Sequence, residues 1–471
     1  MTISADLTSA PSSDPAEALV ALRDRLAGEL AFPGQPGYEL ATPWNVAVVQ
    51  KPIAVIVAAS TDDVAETIRV CNEHGLRAAV RRTGHGAVTI DADDTVLIHT
   101  ARLDAVEIDS ATRTARVGGG AIWQQVLDAA TPHGLAPLVG SSPNVGVSGF
   151  LTGAGIGPLV RTYGLSSDHV REFRVVTGDG QVLRAAPDEN PDVFWGLRGG
   201  KGSLGIVTEV VIDLLPIATL IGGSVSFDGA DAPAVLAAWR ELCQDLPEHV
   251  NTSIAFMQLP PLPQIPAPLA GKLTLSVRFA SVGSEDEARA LLAPLLAVAT
   301  PILGGVGEMP YAAIASIHAD PVDPMPTREH STLLRDLTPE GIDTLLELCG
   351  PGSGSPQTIV ELRLLGGALA REPEHASAFT HRGAAFTLFA VGVLAPPVAE
   401  MVHGHGAQLM AAMAPHETGG TLPNFTATDD PARLARCYDD NARHWLGALA
   451  DQHDPAGVLR VGQVIRGDLV A

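Results

Sequence analysis

Residues 78–91 of the chain read AAVRRTGHGAVTID and contain an unusual turn. A β-like run from Leu76 to Arg82 leads into Thr83-Gly84-His85-Gly86, where one histidine stands between two glycines. Glycine lets the backbone approach another group closely, so the turn brings an imidazole near whatever the loop contacts. A polar turn histidine without further role is the alternative interpretation.

Two more loops share this glycine-rich composition. They read VGSSPNVGVSGFLTGAGIG (residues 139–157) and LRGGKGSLGIVT (residues 197–208). Backbone N–H groups in such loops can surround an anion, for example a pyrophosphate. Any one loop taken singly could be a plain tight turn. The run from Gly153 to Gly157 does not fit the dinucleotide-binding βαβ pattern, because no convincing strand precedes it and Pro158 follows. Three such loops within one unit favour a phosphate-bearing cofactor.

Composition restricts the class of protein. A length of 471 residues predicts two or three domains, and 46% hydrophobic residues are typical of a packed globular protein. The formal net charge of −23 disfavours nucleic acids and anionic membrane surfaces as partners. Four scattered cysteines indicate a reducing compartment, and residues 1–17 resemble a disordered lead without secretory features. We expect a cytoplasmic protein.

Local patterns predict two kinds of architecture. Asp14 before Pro15 begins a helix, and a second helix begins at Ser60 with Asp63 in a capping-box pattern and ends at Gly75. Strand, helix and strand follow within this part, which predicts a βαβ unit in a mixed α+β region. From about residue 217, amphipathic helices alternate with strands. One antiparallel sheet with helices on one face is expected there, and residues 384–402, interrupted by Pro396 and Pro397, form a strand and a helix rather than a membrane span.

The chain resembles a known family. Its motifs are, in order, WN at 44–45, VRRTGHG, VGVSGFLTGAGIG, YGLSSDHV, DVFWGLRGGKGSLGIVT, ELRLLGGAL, PNF at 423–425 and DP near the end. In this order and spacing they resemble the FAD-linked oxidases of the vanillyl-alcohol-oxidase superfamily. The similarity is to the branch of berberine-bridge-enzyme-like and 6-hydroxynicotine-oxidase-like proteins, and it covers nearly the whole chain.

The resemblance implies an α+β fold. It consists of a PCMH-type FAD-binding domain of two α/β subdomains and a substrate domain whose antiparallel sheet is backed by helices. The implied boundaries are a lead and joining helix at 1–47, the FAD-binding domain at 48–216, the substrate domain at 217–420, and a segment at 421–471 that returns to the FAD-binding domain.

The resemblance also implies FAD, attached covalently through His85 alone. Ser142 stands where many relatives carry a second attachment cysteine, and Thr83 and Ala154 stand where relatives carry glycine. No metal site is expected. The residues expected to bind the cofactor are Arg81, Arg82, Thr83, Gly84, His85, Gly86, Ala87, Gly140, Ser141, Ser142, Val145, Gly146, Gly149, Gly153, Gly155, Gly157, Gly205, Ile206, Val207 and Asn424.

The candidate catalytic residues are Glu361, Arg363 and Asn424. The family often has a tyrosine two residues before the asparagine of the PNF-type motif, and Leu422 occupies that place here. Leucine cannot accept a hydroxyl proton, so sugar oxidation is disfavoured. Glu361 and Arg363 share one face of a strand and could bind or deprotonate a substrate, with a structural ion pair as the alternative. Tyr163 is interpreted as a packing residue, and His381-Arg382 as a solvated helix end.

The predicted function is an FAD-dependent oxidoreductase that takes a hydride from a bulky organic small molecule, at a CH–OH or CH–NH group. A secondary metabolite is the expected substrate, and dioxygen is a candidate electron acceptor. The first alternative is a flavin-containing cyclase or rearrangement catalyst in which FAD is structural. The second is a non-catalytic small-molecule binder. The oligomeric state is left open.

Overall fold

The structure is a computed structural model, and it describes residues 14–467. Residues 1–13 of the lead expected at 1–17 therefore lie outside the described residues. The expectation is wrong for its last three residues, which belong to the helix Pro15–Arg23. The described chain contains three sheets, which follow one another in sequence. None of the described helices combines the length and the apolar character that a membrane span requires.

The first sheet has four strands, of which three are parallel. Its order is β1-β2-β4-β3, and helix α2 connects β2 to β3, so the predicted βαβ unit is confirmed. Ile56, Val96 and Ile98 are fully buried against α1 and α2. The elements of this layer are α1 (Pro15–Arg23), β1 (Glu29–Ala31), β2 (Ala54–Val57), α2 (Thr61–His74), β3 (Arg77–Arg81) and β4 (Thr95–His99).

The ends of α2 agree with the sequence pattern at two of three points. Ser60 Oγ accepts a hydrogen bond from the Asp63 backbone N–H at 3.1 Å, and Gly75 ends the helix with φ +66°. The Asp63 carboxylate, however, accepts from the backbone N–H groups of Ala27 and Ala59 at 2.9 and 2.8 Å. The reciprocal half of the predicted capping box is therefore wrong, because Asp63 fixes the incoming chain instead of capping Ser60.

The second sheet is an antiparallel layer of five strands in the order β5-β6-β9-β7-β8. Two hairpins belong to this layer, β5 with β6 and β7 with β8. Its core contains Trp123, Phe173 and Phe194. The elements are β5 (Val106–Asp109), β6 (Thr114–Gly118), α3 (Trp123–Ala130), α4 (Val147–Leu151), α5 (Val160–Tyr163), β7 (Val170–Val176), β8 (Val182–Ala185), α6 (Pro191–Leu197) and β9 (Ile206–Asp213).

The third sheet has seven antiparallel strands in the order β13-β10-β12-β11-β15-β16-β14. One face is apolar and packs on the four helices of this region, which confirms the predicted single-sided layer. The elements are β10 (Thr219–Asp228), α7 (Ala232–Gln244), β11 (Val250–Gln258), β12 (Leu273–Ser281), α8 (Glu285–Val298), β13 (Leu303–Pro310), β14 (Thr327–Leu334), α9 (Pro339–Cys349), β15 (Ile359–Leu364), β16 (Phe386–Val393) and α10 (Ala399–Met413).

The closing segment contains helices α11 (Pro431–Ala435) and α12 (Asp440–His453). It returns to the first two layers, where the Asp454 carboxylate accepts hydrogen bonds from the backbone of Val458 and Leu459 and pairs with Arg466. A cation and a carboxylate that are both buried must be paired in this way, because an isolated buried charge is costly. The pair thus fixes the path of the C-terminal chain.

The interpretation of His381-Arg382 as a solvated helix end is wrong. Arg382 is buried, and its guanidinium forms two hydrogen bonds with the Asp168 carboxylate at 2.6 and 3.0 Å. Asp168 belongs to the YGLSSDHV motif, so this ion pair joins the second layer to the loop that enters β16. Tyr163 packs against the core of the second layer, as the sequence predicted.

Candidate functional site

His85 is held in place by an aromatic ring. The Trp44 indole stacks on the imidazole with 4.4 Å between ring centroids and 24° between planes. Gly84 makes this possible, because its φ is +87° and a Cβ atom there would lie 2.6 Å from Pro43 Cβ. The buried Nε2 atom of His85 has no hydrogen-bond partner among residues 14–467. Burial lowers the pKa of His85 to about 4, although the negative charge of Asp320 and a hydrogen bond with Asn144 that favours the protonated ring oppose the shift. The imidazole is therefore neutral at physiological pH.

The first glycine loop offers unused hydrogen-bond donors. Within the described part of the chain, the backbone N–H groups of residues 83–86 donate to no acceptor. Gly84 is buried, and Thr83 and His85 are half-buried. N–H groups in such places are almost always satisfied, so these donors are available to an anionic ligand. Together with the orphaned imidazole nitrogen, these donors fit the pyrophosphate and the flavin edge of FAD.

The two arginines before this loop have protein partners. Arg81 donates to the Ala41 carbonyl and to Gln50 Oε1, both at 2.6 Å, and Arg82 donates to the Gly120 carbonyl at 2.5 Å. Burial lowers the pKa of both guanidinium groups. Their visible role is to position the loop, and a direct role at the cofactor stays a prediction.

The second glycine loop combines open space with close chain crossings. A Cβ atom on Gly149 would meet nothing within 4 Å, whereas one on Gly157 would lie 1.9 Å from the Val139 carbonyl oxygen. Ser142 Oγ bonds to Asn144 Oδ1 at 2.5 Å. Ala154 takes a left-handed conformation, with φ +78°, at the position where relatives carry glycine. The space at Gly149 is where this loop can accept a ligand.

The remaining predicted loop positions pack against protein. Cβ atoms on Gly140 and Gly155 would lie 2.7 and 2.8 Å from the Phe150 ring, and one on Gly205 would lie 2.5 Å from Val175. Ile206 and Val207 are buried at the start of β9. Small residues are needed here so that the chain can cross itself. A cofactor contact at these residues, and at Ala87, Val145 and Gly146, stays a prediction.

Asn424 joins the second and third loops. Its Nδ2 donates to the Phe150 carbonyl at 2.8 Å, and its Oδ1 accepts from Lys201 Nζ. Lys201 also donates to the Gly149 carbonyl at 3.2 Å. A side chain on Gly153 would collide with both Asn424 and Lys201. The structure thus brings Asn424 to the open side of the second loop.

Glu361 and Arg363 lie on the polar face of the seven-stranded sheet, opposite the apolar face that packs on helices. Glu361 Oε2 accepts from Arg363 Nε at 2.8 Å, and Oε1 accepts from Ser253 Oγ at 2.8 Å and Arg278 Nη1 at 2.7 Å. Arg363 also lies 3.4 Å from Ser141 Oγ and over the Phe425 ring at 5.6 Å. It is therefore Arg363 that reaches the second loop.

The electrostatics of this cluster oppose a base role for Glu361. Burial by itself raises the pKa of the carboxyl, but Arg363, Arg278 and His318 outweigh it and hold the pKa well below its ordinary value. The geometry therefore favours the structural ion-pair interpretation. His318 lies 3.4 Å from Glu361 beside a cavity of about 20 Å³, which has room for one water molecule.

The sequence patterns did not single out three groups that lie at the candidate site. Lys201 is a charged residue inside a glycine loop, and Glu329 alternates with Ser331 along β14, so both carried a usable signal. The third is the carbonyl of Val322, which accepts from Trp44 Nε1 at 3.0 Å and from Asn144 Nδ2 at 2.8 Å. A backbone carbonyl has no sequence signal. Leu422, in the expected tyrosine place, is buried and apolar.

Comparisons with known proteins agree with this geometry. Residues 52–186 match a family model described as an FAD binding domain. The chain is 30% identical over 232 residues to (R)-6-hydroxynicotine oxidase of Paenarthrobacter nicotinovorans. That alignment covers 48% of this chain and 51% of the relative, so it spans about half of the relative's length.

Solved structures match over a longer part of the chain. BBE-like 1 of Physcomitrella patens has a TM-score of 0.83 at 19% identity, with 95% of this chain and 99% of that chain covered. A chitooligosaccharide oxidase has a TM-score of 0.81 at 19% identity, with the same coverage. At such low identity these matches concern the fold, and they confirm the predicted α+β fold class.

Proposed function

We propose that the chain, which is similar to berberine-bridge-enzyme-like proteins in fold and to FAD binding domains over residues 52–186, is an FAD-linked oxidoreductase that removes a hydride from a small organic molecule. The observation that carries the proposal is that a loop suited to FAD lies near the polar face of the seven-stranded sheet, which we call the substrate sheet. The loop at His85 has four free backbone N–H groups and an orphaned imidazole nitrogen, and the polar face of the substrate sheet reaches the neighbouring loop through Arg363.

FAD, when bound, supplies the two-electron redox chemistry. The residues of this chain bind and orient it. The N–H groups of residues 83–86 would hold the pyrophosphate, and His85 would hold the flavin edge covalently. A neutral imidazole is needed for that bond because the nitrogen must offer a lone pair, and the low pKa of His85 keeps it neutral. Ser142 forms no second attachment.

The substrate side is lined by groups of mixed character. Arg363 and Ser141 offer donors, and the stacked rings of Phe389 and Phe425, 4.3 Å apart, offer an apolar surface. This lining suits a bulky organic molecule with an aromatic or aliphatic part and one polar group. We propose oxidation at CH–NH in preference to CH–OH, because Leu422 cannot take a hydroxyl proton.

The test uses the FAD-loaded protein without oxygen. It is mixed with (R)-6-hydroxynicotine, with related cyclic amines and with chitooligosaccharides, and the yellow flavin absorbance is followed. Bleaching by an amine, with recovery of colour on admission of dioxygen, supports the proposal. Product formation without bleaching identifies the cyclase alternative. Binding with neither bleaching nor product identifies a binder, and both of these results overturn the oxidoreductase proposal.

A further inference from the structure

We propose that Glu329 is the catalytic residue that binds the N–H group of the substrate amine and accepts its proton. The inference rests on the proposed function, since it names the proton acceptor for that hydride removal. Glu329 supplies the proton acceptor that Leu422 cannot provide. The carboxylate of Glu361 does not provide it either, because it is fully engaged by other side chains.

The strand register places Glu329 on the face where the substrate is expected. Ser331 and Glu329 are two residues apart on β14 and share a face, and Ser331 Oγ bonds to the Phe425 carbonyl at 2.7 Å. Ser331 lies opposite Phe389, which in turn lies opposite Glu361. On the polar face, Glu361 therefore lies in the middle of the sheet and Glu329 lies on an edge strand.

These two carboxylates have opposite surroundings. Glu361 is buried and engages Ser253, Arg278 and Arg363. Glu329 is partly buried, and among residues 14–467 it forms neither a hydrogen bond nor an ion pair within 4.0 Å. A half-buried carboxylate without a partner has lost part of its hydration, and no protein donor replaces the lost hydrogen bonds. Its oxygens can therefore accept a hydrogen bond from a ligand N–H or O–H.

Two cations lie near Glu329 at longer range. Lys201 faces it from the third glycine loop, and Arg433 faces it from α11. Burial raises the pKa of Glu329 to about 7, and the charges of Arg433 and Lys201 oppose the rise. Burial also lowers the pKa of Lys201 to about 8. Since Lys201 is anchored on Gly149 and Asn424, Glu329 lies beside the open part of the second loop.

The chemistry balances as follows. FAD, when bound, would be the acceptor for the hydride, with both electrons of the substrate C–H bond. The N–H bond breaks, its electron pair completes the new C=N bond, and the proton forms an O–H bond with the Glu329 carboxylate. A carboxyl that titrates near neutral pH is suited to this step, because it is ionised yet basic enough to hold the proton.

The first arm of the test needs no substrate. Thermal unfolding of the FAD-loaded wild type, Glu329→Gln and Glu308→Gln is measured from about pH 5 to about pH 8. When folding raises the pKa of a carboxyl, the free energy of unfolding of the protein falls as the pH rises from the ordinary pKa to the raised pKa. Glu329→Gln removes that loss, so its midpoint exceeds that of the wild type increasingly up to about pH 7 and by a constant margin above. Glu308→Gln, at an exposed site on β13, shows no such trend.

The second arm uses whichever amine bleaches the flavin of the wild type. Flavin reduction in the wild type slows as pH falls below about 7. We expect Glu329→Gln to reduce the rate by roughly 100-fold or more and to remove this pH dependence, with the FAD content unchanged. Glu329→Asp should restore part of the rate. Glu361→Gln should keep the pH dependence, whatever it does to the rate.

The outcomes separate the two proposals. A pH-independent difference between the wild type and Glu329→Gln in the first arm overturns the role of Glu329. So does an unchanged pH profile of flavin reduction in Glu329→Gln. If no compound bleaches the wild type, the oxidoreductase proposal fails by itself, and the first arm still reports on the Glu329 carboxyl.

Discussion

The indole of Trp44 lies against the imidazole of His85, 4.4 Å away, although the two residues come from different segments of the first layer. The backbone supports the stack, because the Trp44 N–H donates to the Thr83 carbonyl at 2.9 Å. The imidazole plane is thereby fixed before a cofactor binds. An oriented and neutral histidine is what a single covalent attachment requires.

The attachment gives the first prediction. His85→Ala should release FAD from the acid-denatured polypeptide, because the bond-forming nitrogen is removed. Ser142→Ala is the matched control and should leave yellow fluorescence on the chain, since its hydroxyl bonds only to Asn144. The measurement is fluorescence of the denatured protein after gel electrophoresis. Flavin that washes freely from the denatured wild type would refute the covalent bond.

The buried histidine His99 gives a prediction on pH. Burial and the charges of Arg81 and Arg82 lower its pKa from 6.5 to about 4. The unfolded chain then takes up a proton first, so stability is complete above pH 6.5 and falls as pH decreases toward 4, by up to about 3 kcal/mol. His99→Gln should flatten this part of the thermal unfolding profile.

The matched control for this measurement is His444→Gln, because His444 is exposed on α12. Its unfolding profile should keep the slope of the wild type between these pH values. An equal slope in the His99 variant and the wild type would contradict the assignment.

The pair of Arg382 with Asp168 predicts a large loss of stability. Arg382→Ala leaves the Asp168 carboxylate buried without its cation, which costs roughly 3–5 kcal/mol. Arg371→Ala is the control, because Arg371 forms an equally short two-fold bond with Glu248 at an exposed site. It should cost below about 1 kcal/mol. Urea unfolding of both variants measures the difference, and similar losses would show that burial is not what matters.

The same reasoning applies to Glu361 at the centre of the sheet. Glu361→Gln leaves Arg278 and Arg363 without a countercharge and should cost roughly 3–5 kcal/mol. Ser253→Ala removes one neutral donor from the same carboxylate and should cost about 1 kcal/mol. If the glutamine variant unfolds at the same urea concentration as the alanine variant, the cluster does not have the structural role assigned to it.

Local sequence patterns were sufficient for the elements and for the first loop. The alternation of TIVELRLL predicted a strand with Glu361 and Arg363 on one face, and the structure has that strand as β15. The glycines around His85 predicted a close approach, and Gly84 has the left-handed φ that glycine favours. These features depend on neighbours within a few residues, so a linear pattern contains them.

The roles of the charged side chains could not be obtained in this way. Arg382 was interpreted as solvated because its partner, Asp168, lies 214 residues away in sequence. Glu361 appeared to be a possible base, yet it is held by Arg278 from another strand and by His318 from a loop. The sequence pattern did not single out Glu329, whose distinction is that its carboxylate forms no hydrogen bond or ion pair with the residues that the structure describes.

The fold class, the three glycine loops, the family resemblance and the histidine in the tightest turn could all be obtained from the sequence. Which carboxylate of the sheet is engaged, Glu361, and which lacks a partner among the described residues, Glu329, became visible only in three dimensions. The physical reason is that a strand pattern fixes the face on which a side chain lies. The pKa of that side chain depends on burial and on the charges that distant segments bring within a few ångströms.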